Sequence, residues 1–294
     1  WPQISCTPWS TRGSAMDNRK LRVLLRHRAS VAGLALLLFL AGSAAFIGLL
    51  SPHDPVAWRP GEQNLGPSRA HWLGTDNSGR DILTRIFFGA RISLFLGVSC
   101  VGFSAAVGLP LGAAAGYLGG LADTAISRFL DILLSFPGIL LAIAIAAPLG
   151  AGLWTVVLSV GVVGIPPFAR QIRASVLSLR ELEFVVASRA LGASPARTLI
   201  REILPNAIGP IIVVATLGVG SAILSAAGLS FIGLGVEAGT AEWGAMLHDG
   251  YVDPRLHRTL ALYSGLAISL AVLGFNLFGD GLRDALDPRS GPPR

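Results

Sequence analysis

Charge is what this sequence is short of. Asp, Glu, Lys and Arg make up only 14% of its 294 residues, while hydrophobic residues make up 52%. Mean hydropathy is +0.63. Soluble domains carry about 25% charged residues, so this chain has too few polar side chains to coat a water-facing surface. Its composition belongs to a bilayer, as one membrane domain. Lysine is scarcer still: Lys20 is the sole lysine, and arginine supplies nearly all the positive charge behind the net +6. A phosphate-cradling loop requires Gly-x-x-x-x-Gly-Lys-Ser/Thr, whose amides and lysine hold the phosphates. Lys20 is followed by Leu21 and lacks those glycines, which excludes ATP hydrolysis by this chain. Cys6 and Cys100 are too few and too far apart for a disulfide framework or a metal site. Cys100, inside an apolar run, reads as a small buried hydrophobe. In so apolar a chain the basic excess points to a membrane surface rather than to nucleic acid.

What is present is a series of long uncharged runs. Crossing a hydrocarbon core about 30 Å thick takes roughly 20 helical residues. Runs without Asp, Glu, Lys or Arg cover residues 31–50, 92–122, 132–169, 203–236 and 259–279. The third is broken at Pro148-Leu149-Gly150-Ala151-Gly152 and reads as a hairpin of two spans. The expectation is an all-α polytopic membrane protein with six transmembrane helices. Residues 1–30 form an N-terminal segment, 31–279 the transmembrane domain with a cytosolic loop at 171–205, and 280–294 a tail. Residues 1–15 precede Met16, show no periodicity and are set aside. The run at 31–50 is too long for a signal peptide, and further spans follow it. With the N-terminus inside, sixteen of the 23 basic residues fall in cytosolic segments. The positive-inside rule then puts both termini in the cytosol. Five of the seven external arginines lie in the first loop, partly balanced by Asp54, Glu62, Asp76 and Asp81.

Two local patterns stand out before the long cytosolic loop. Ser78-Gly79-Arg80-Asp81 fits a capping box. Ile82, Leu83, Ile86 and Phe87 then fall at helical spacing, which predicts a short amphipathic interfacial helix ahead of the second span. Gly108, Gly112 and Gly116 recur every four residues, a spacing that lets helices approach closely in lipid. The contact is either within the chain or with a second membrane subunit.

Residues 170–204 are too long for a simple connector. Leu182, Val185, Val186 and Arg189-Ala190 predict a short helix, and Gly192 offers a stop. Ser194 as N-cap and Pro195 at the first turn restart a helix. Leu199, Ile200, Ile203 and Leu204 form its apolar face, and Pro205 marks where the next span begins. Two short helices bent around Gly192 make a compact projection. Ala187, Ala190 and Ala193 keep its tip narrow enough for a groove on a partner. Arg197 and Arg201, four apart, repel each other on an isolated helix and are better placed against acidic groups of a partner or lipid phosphates. A pair of membrane-surface helices without a partner is the alternative.

The run Glu183-Phe-Val-Val-Ala-Ser-Arg-Ala-Leu-Gly-Ala-Ser194, followed by Ile203-Leu-Pro-Asn206, resembles the EAA loop of ABC importer permeases. More narrowly, the chain resembles the dipeptide/oligopeptide/nickel permease family. The likeness is carried by His71-Trp-Leu-Gly-Thr-Asp-Asn-Ser-Gly-Arg-Asp81, Gly89-Ala-Arg-Ile-Ser-Leu94, Ser135-Phe-Pro137, Leu229-Ser-Phe-Ile-Gly-Leu-Gly235 and Gly279-Asp-Gly-Leu-Arg-Asp-Ala-Leu-Asp-Pro288. These motifs span nearly the whole chain, and the tail and the Gly-Thr-Asp signature point to the second permease of such systems. The resemblance implies a type I ABC importer permease fold in a bacterial plasma membrane, and a non-catalytic subunit that binds no cofactor. ATP and Mg would sit on two cytosolic ATPase subunits. The other implied partners are a second homologous permease, an extracytoplasmic binding protein and membrane lipid, with no nucleic acid. The loop that would couple to the ATPase comprises Glu183, Val186, Ala187, Ser188, Arg189, Ala190, Gly192, Ala193, Ser194, Arg197, Leu204 and Pro205. There are departures. Val186 stands near the name-giving glutamate, Ser188 replaces the second alanine, Trp72 a common proline, and Ser225 a frequent acidic residue.

Rival readings leave specific traces. A secondary transporter keeps ionisable groups inside its spans, and only Asp131 comes close, near a helix end. An intramembrane hydrolase would need Ser230 in register with a base, but His248 and His257 fall in what reads as an external loop. Peptides are the leading substrate class, with nickel chelates, heme and opines open. No His/Cys cluster supports a metal site.

Overall fold

The computed structural model describes residues 27–237, 239–252 and 258–286. Cys6, most of the N-terminal segment, His257 and the end of the tail therefore lie outside the described residues. Helix α1 spans Arg28–Leu50, α2 Ile82–Leu118, α3 Gly120–Ser135, α4 Gly138–Leu149 and α5 Leu153–Leu179. Then come α6 at Glu183–Ala190, α7 at Pro195–Phe231, α8 at Trp243–Val252 and α9 at Arg258–Leu286. Among the described residues the only β pairing is a single bridge between Thr75 and Asp81.

Helices α1, α2, α5, α7 and α9 are each long and apolar enough to cross a membrane. A sixth crossing would not be a plain helix. α3 and α4 pass the same test only together, and they are bent by 89°. Pro137 causes the bend: Phe136 before it is extended, with φ −94° and ψ 139°, as the residue ahead of a proline is driven to be. The break expected at residues 148–152 is also present, with Gly150 at φ +77°.

Two expected boundaries are corrected. The helix after the first loop is not short and separate. It is the start of the 37-residue α2, about 55 Å long at 1.5 Å per residue and so far longer than a bilayer core. Its cap is Asp81 rather than Ser78: Asp81 Oδ2 accepts from Thr84 N at 2.8 Å. Likewise the helix restarted at Ser194 does not end before Pro205. It runs on as α7 for 37 residues, through one wide π turn at Thr198–Ile203. That turn lets the helix carry Pro205, which has no N–H to donate. The loop that holds His248, expected to be external, is also partly helical. It contains α8, capped by the buried Glu242, whose Oε1 accepts from Gly244 N and Oε2 from Ala245 N, both at 2.9 Å.

The stripe of glycines settles its own alternatives. A Cβ on Gly108 would meet the Ile165 carbonyl at 2.8 Å, one on Gly112 the Ala169 carbonyl at 2.0 Å, and one on Gly116 the Arg173 carbonyl at 2.9 Å. The stripe is therefore consumed by α5 of the same chain, at backbone contact. Segments at one end of the bundle meet each other: Gly152 N donates to the Gly235 carbonyl at 2.7 Å, and Arg80 Nη1 to that of Gly239 at 3.0 Å. This is the distal face. The opposite face carries α6 and both described chain ends, where His27 Nε2 lies 4.0 Å from Asp284 Oδ2.

Gly112→Ala forces α2 and α5 apart. The expected cost is about 2 kcal/mol, as for other overpacked sites, read as a lowered unfolding temperature in detergent. Gly102→Ala, on the same helix with nothing within 4 Å of its Cβ position, serves as the control and leaves that temperature unchanged.

Candidate functional site

The projection at α6 is built from one buried anchor and an exposed rim. Val185 is fully buried and packs with Ile172 and Val176 of α5 and Ile203 and Ala207 of α7. Burying a valine side chain contributes about 2 kcal/mol, which fixes a helix of only eight residues. Glu183 sits in its first turn, where the helix dipole favours a carboxylate. Its end is a Schellman cap: Ala193 N donates to the Ser188 carbonyl at 3.1 Å and Gly192 N to that of Arg189 at 2.9 Å. Gly192 takes φ +87° at the position where glycine is favoured. Ser194 then caps α7, its Oγ accepting from Arg197 N at 3.4 Å.

The expected loop residues come together in this one projection, and most face outward. Glu183, Val186, Ala187, Arg189, Ala190, Gly192, Ser194, Arg197 and Pro205 are exposed, while Ser188, Ala193 and Leu204 are half-buried. Leu191 is 90% exposed and Val186 52%, so two apolar side chains flank the small residues. Leu191 was missing from the expected set. Its signal was available: a leucine directly before a C′ glycine, on a helix whose inward position was already taken by Val185. Two arginines tie the projection to the bundle. Arg180 Nη1 donates to the Gly116 carbonyl at 2.9 Å, and the Arg189 guanidinium lies 5.3 Å from the Tyr117 ring centroid.

The other concentration of polar groups is on the distal face. Asp76 is completely buried. Its Oδ1 accepts from Ser78 N at 2.8 Å and Arg80 N at 2.9 Å, and its Oδ2 from Arg80 Nε at 2.8 Å. Arg85 Nη1, equally buried, donates to the same Oδ2. Arg85 Nη2 reaches the carbonyls of Gly239 and Thr240 at 3.4 and 3.3 Å. Trp243 of α8 is fully buried, and its Nε1 donates to the Ile86 carbonyl at 2.8 Å. One carboxylate and two guanidiniums thus clasp the first loop, the start of α2 and the segment ahead of α8. Burial alone would raise the Asp76 pKa, but Arg85, the backbone donors and Arg80 outweigh it and hold the carboxyl below its ordinary value.

Comparison with known proteins matches this architecture to a family. Residues 108–291 match the family of binding-protein-dependent transport system inner membrane components, and residues 19–67 match the N-terminal TM domain of oligopeptide transport permease C. The chain belongs to this transport family. It is 46% identical over 90% of its length to the dipeptide transport system permease protein DppC of Alkalihalophilus pseudofirmus, covering 88% of that protein. It is 45% identical over 91% of its length to the glutathione transport system permease protein GsiD of Pectobacterium atrosepticum, covering 89% of it. The fold is similar to that of the MetNI methionine ABC transporter in an inward-facing conformation. The TM-score is 0.57 at 21% identity, over 70% of this chain and 98% of that one. The chain is a multi-pass inner-membrane permease of an ABC importer with the type I fold, and it is not itself an enzyme.

Family membership gives the motifs physical roles. In His71–Asp81 the two glycines are compelled: Gly74 and Gly79 have φ +82° and +76°, and a Cβ on either would lie within 2.4 Å of a backbone carbonyl. Ser135-Phe-Pro137 makes the bend between α3 and α4. Trp72, the departure from proline, is 69% exposed. Ser225 lines a cavity of about 400 Å³ with Ser104 and Ser221. The traces of the rival functions also find ordinary roles. Asp131 pairs with Arg170 at 2.8 Å. His248 Nδ1 lies 2.7 Å from the Phe231 carbonyl. Ser230 is buried, and Gly235 packs against it so tightly that a Cβ there would stand 2.0 Å from its Oγ, a packing role at the end of α7.

Asp76→Asn leaves Arg85 buried against a neutral amide. It should destabilise the permease by about 3 kcal/mol, as for other broken buried pairs. Because the folded pKa of Asp76 is depressed, its contribution is complete above about pH 4 and lost as pH falls through the lower folded value. The stability gap between wild type and Asp76→Asn, measured by thermal unfolding, is expected to be flat from neutral to mildly acidic pH and to shrink only below about pH 4.

Proposed function

We propose that this chain forms half of the pore of an importer for dipeptides or other short peptides. In this reading α6 docks on a cytosolic ATPase and carries ATP-driven motion into the bundle. The carrying observation is the exposed, narrow tip of α6, rigidly anchored by Val185 and tied through Arg180 to α2. The substrate class is supported by the names of the relatives, a dipeptide permease and glutathione permeases. It is also supported by the mostly apolar cavity at Ser104, Ser221 and Ser225, whose lining carries three hydroxyls and no charged side chain. Nickel chelates, heme or another small solute are the alternative cargo for the same machinery.

The remaining partners follow from this reading. A second homologous permease supplies the other half of the pore, and an extracytoplasmic binding protein delivers cargo to the distal face. Two ATPase subunits bind the ATP and Mg, so this chain needs no nucleotide of its own. The α6 face is then cytosolic and both termini lie inside, as the arginine distribution favours. The segment 171–205 is the coupling region of the transmembrane domain 31–279, flanked by the N-terminal segment 1–30 and the tail 280–294. Arg197 and Arg201, both exposed, face acidic groups of the ATPase. Val186 and Leu191 fill apolar positions in its cleft. Closure of the ATPases moves α6 and the bundle together as a rigid body.

Ala187 is exposed, so Ala187→Arg leaves the permease folded and inserted. The expected result is loss of ATPase association and at least a tenfold fall in dipeptide uptake by cells that depend on this system. Unimpaired uptake with Ala187→Arg would refute docking through α6. Uptake that is lost while a dipeptide fails to compete would instead redirect the cargo assignment.

A further inference from the structure

Where α1 ends and α2 begins, the distal loop gathers two imidazoles and two carboxylates. One ligand atom from each of His53, His71 and Asp81 lies within 4.8 Å of the other two. His71 and Asp81 are buried and His53 half-buried. His71 Nδ1 and Asp81 Oδ1 stand 3.0 Å apart, while Asp81 Oδ2 is already occupied by Thr84. On the other side of the ring, His71 Nε2 lies 3.8 Å from Glu62 Oε2, which also holds Arg59 at 3.3 Å. The His53 ring is 4.7 Å from that of His71, centroid to centroid, and its Nε2 is 3.1 Å from the Ala70 carbonyl. A carbonyl only accepts, so this His53 nitrogen carries the proton and the other is left bare.

We propose that His53, His71 and Asp81 form a binding site for one borderline divalent cation, with zinc as the best fit. Two imidazoles and one carboxylate match zinc better than the all-oxygen sets of calcium or magnesium. His71 Nδ1 and Asp81 Oδ1, hydrogen-bonded at 3.0 Å, need to part only to about 3.4 Å to seat two tetrahedral ligands on one ion at about 2.1 Å each. The metal takes the place of the proton shared between them. Glu62, whose Oε2 lies 3.8 Å from His71 Nε2, is the carboxylate placed to draw in and fix the outer nitrogen of that ligand once the ion is bound. His53 and Asp81 both line an open groove of about 850 Å³, which gives the ion a route in. The ion would pin the end of α1, through His53, to the cap of α2, through Asp81, and so stiffen the distal loop independently of which solute is carried.

The test uses the full-length chain in lipid nanodiscs, stripped with a chelator and titrated with zinc against a chromogenic chelator at neutral pH. One tight zinc per chain is expected. His71 is buried and its removal can unfold the loop, so the half-buried His53 is the diagnostic ligand. His53→Ala should weaken zinc binding by at least about tenfold, the loss seen even when an outer-shell group is removed. His248→Ala on α8 should leave it unchanged. Zinc should also slow proteolysis of the 51–81 loop in the wild type and not in His53→Ala. Equal zinc binding by wild type and His53→Ala, or less than one zinc per chain in the wild type, overturns the site.

Discussion

At Gly112 the backbones of α2 and α5 come so close that a Cβ would stand 2.0 Å from the Ala169 carbonyl. Lipid supplies no hydrophobic force to bring helices together, so van der Waals contact between such small residues does the joining. The consequences run along both helices. α5 continues beyond the contact to Leu179 and delivers the chain to α6. Arg180 turns back to the Gly116 carbonyl, one helical turn beyond Gly112. Val185 then wedges against the same α5 surface. The projection on one face of the permease is thus held by the glycine seam rather than by a flexible tether.

At the far end, charge does the equivalent work. Asp76, Arg80 and Arg85 lie beyond the apolar length of α2, where a helix about 55 Å long outruns the bilayer core. Burying these ions carries a desolvation cost, and a tightly bonded cluster of this kind contributes less to stability than to fixing one arrangement. Here that arrangement joins the first loop to α8. Trp243 and Glu242 complete it, and Gly244 lets α8 settle against the backbone of Ala227. Between the two ends the bundle is almost free of ionisable side chains, so motion applied at α6 has few polar contacts to break.

Much of this was legible in the sequence. The apolar runs gave the crossings, because length and charge depletion respond to bilayer thickness. Gly192 and Ser194-Pro195 gave the turn after α6, because a positive φ and an N-cap each demand particular residues. What could not be read were features decided by tertiary contact. The glycine stripe had two possible partners, and only the packing chose α5. α8 hid in a segment too short and mixed to show periodicity, yet Glu242 caps it from a buried position. Pro205 looked like a helix start, and the π turn that absorbs it has no sequence signature of its own. Ser78 lost the cap of α2 to Asp81, since both residues satisfy the local rule and the contact with Thr84 decides. Leu191 was overlooked because exposure at a helix end depends on which neighbour takes the anchor.

The central claim is that α6 rides rigidly on the α2–α5 seam while the two halves of the transporter move. Spin labels on Leu182→Cys at the start of α6 and Trp154→Cys at the distal end of α5, both exposed, report the distance across one permease in the assembled transporter. Between the nucleotide-free and ATP-bound states that distance is predicted to change by no more than about 2 Å, the scale of helix shear. A change of many ångströms within the single chain would mean that the loop flexes on its own, and would contradict the account.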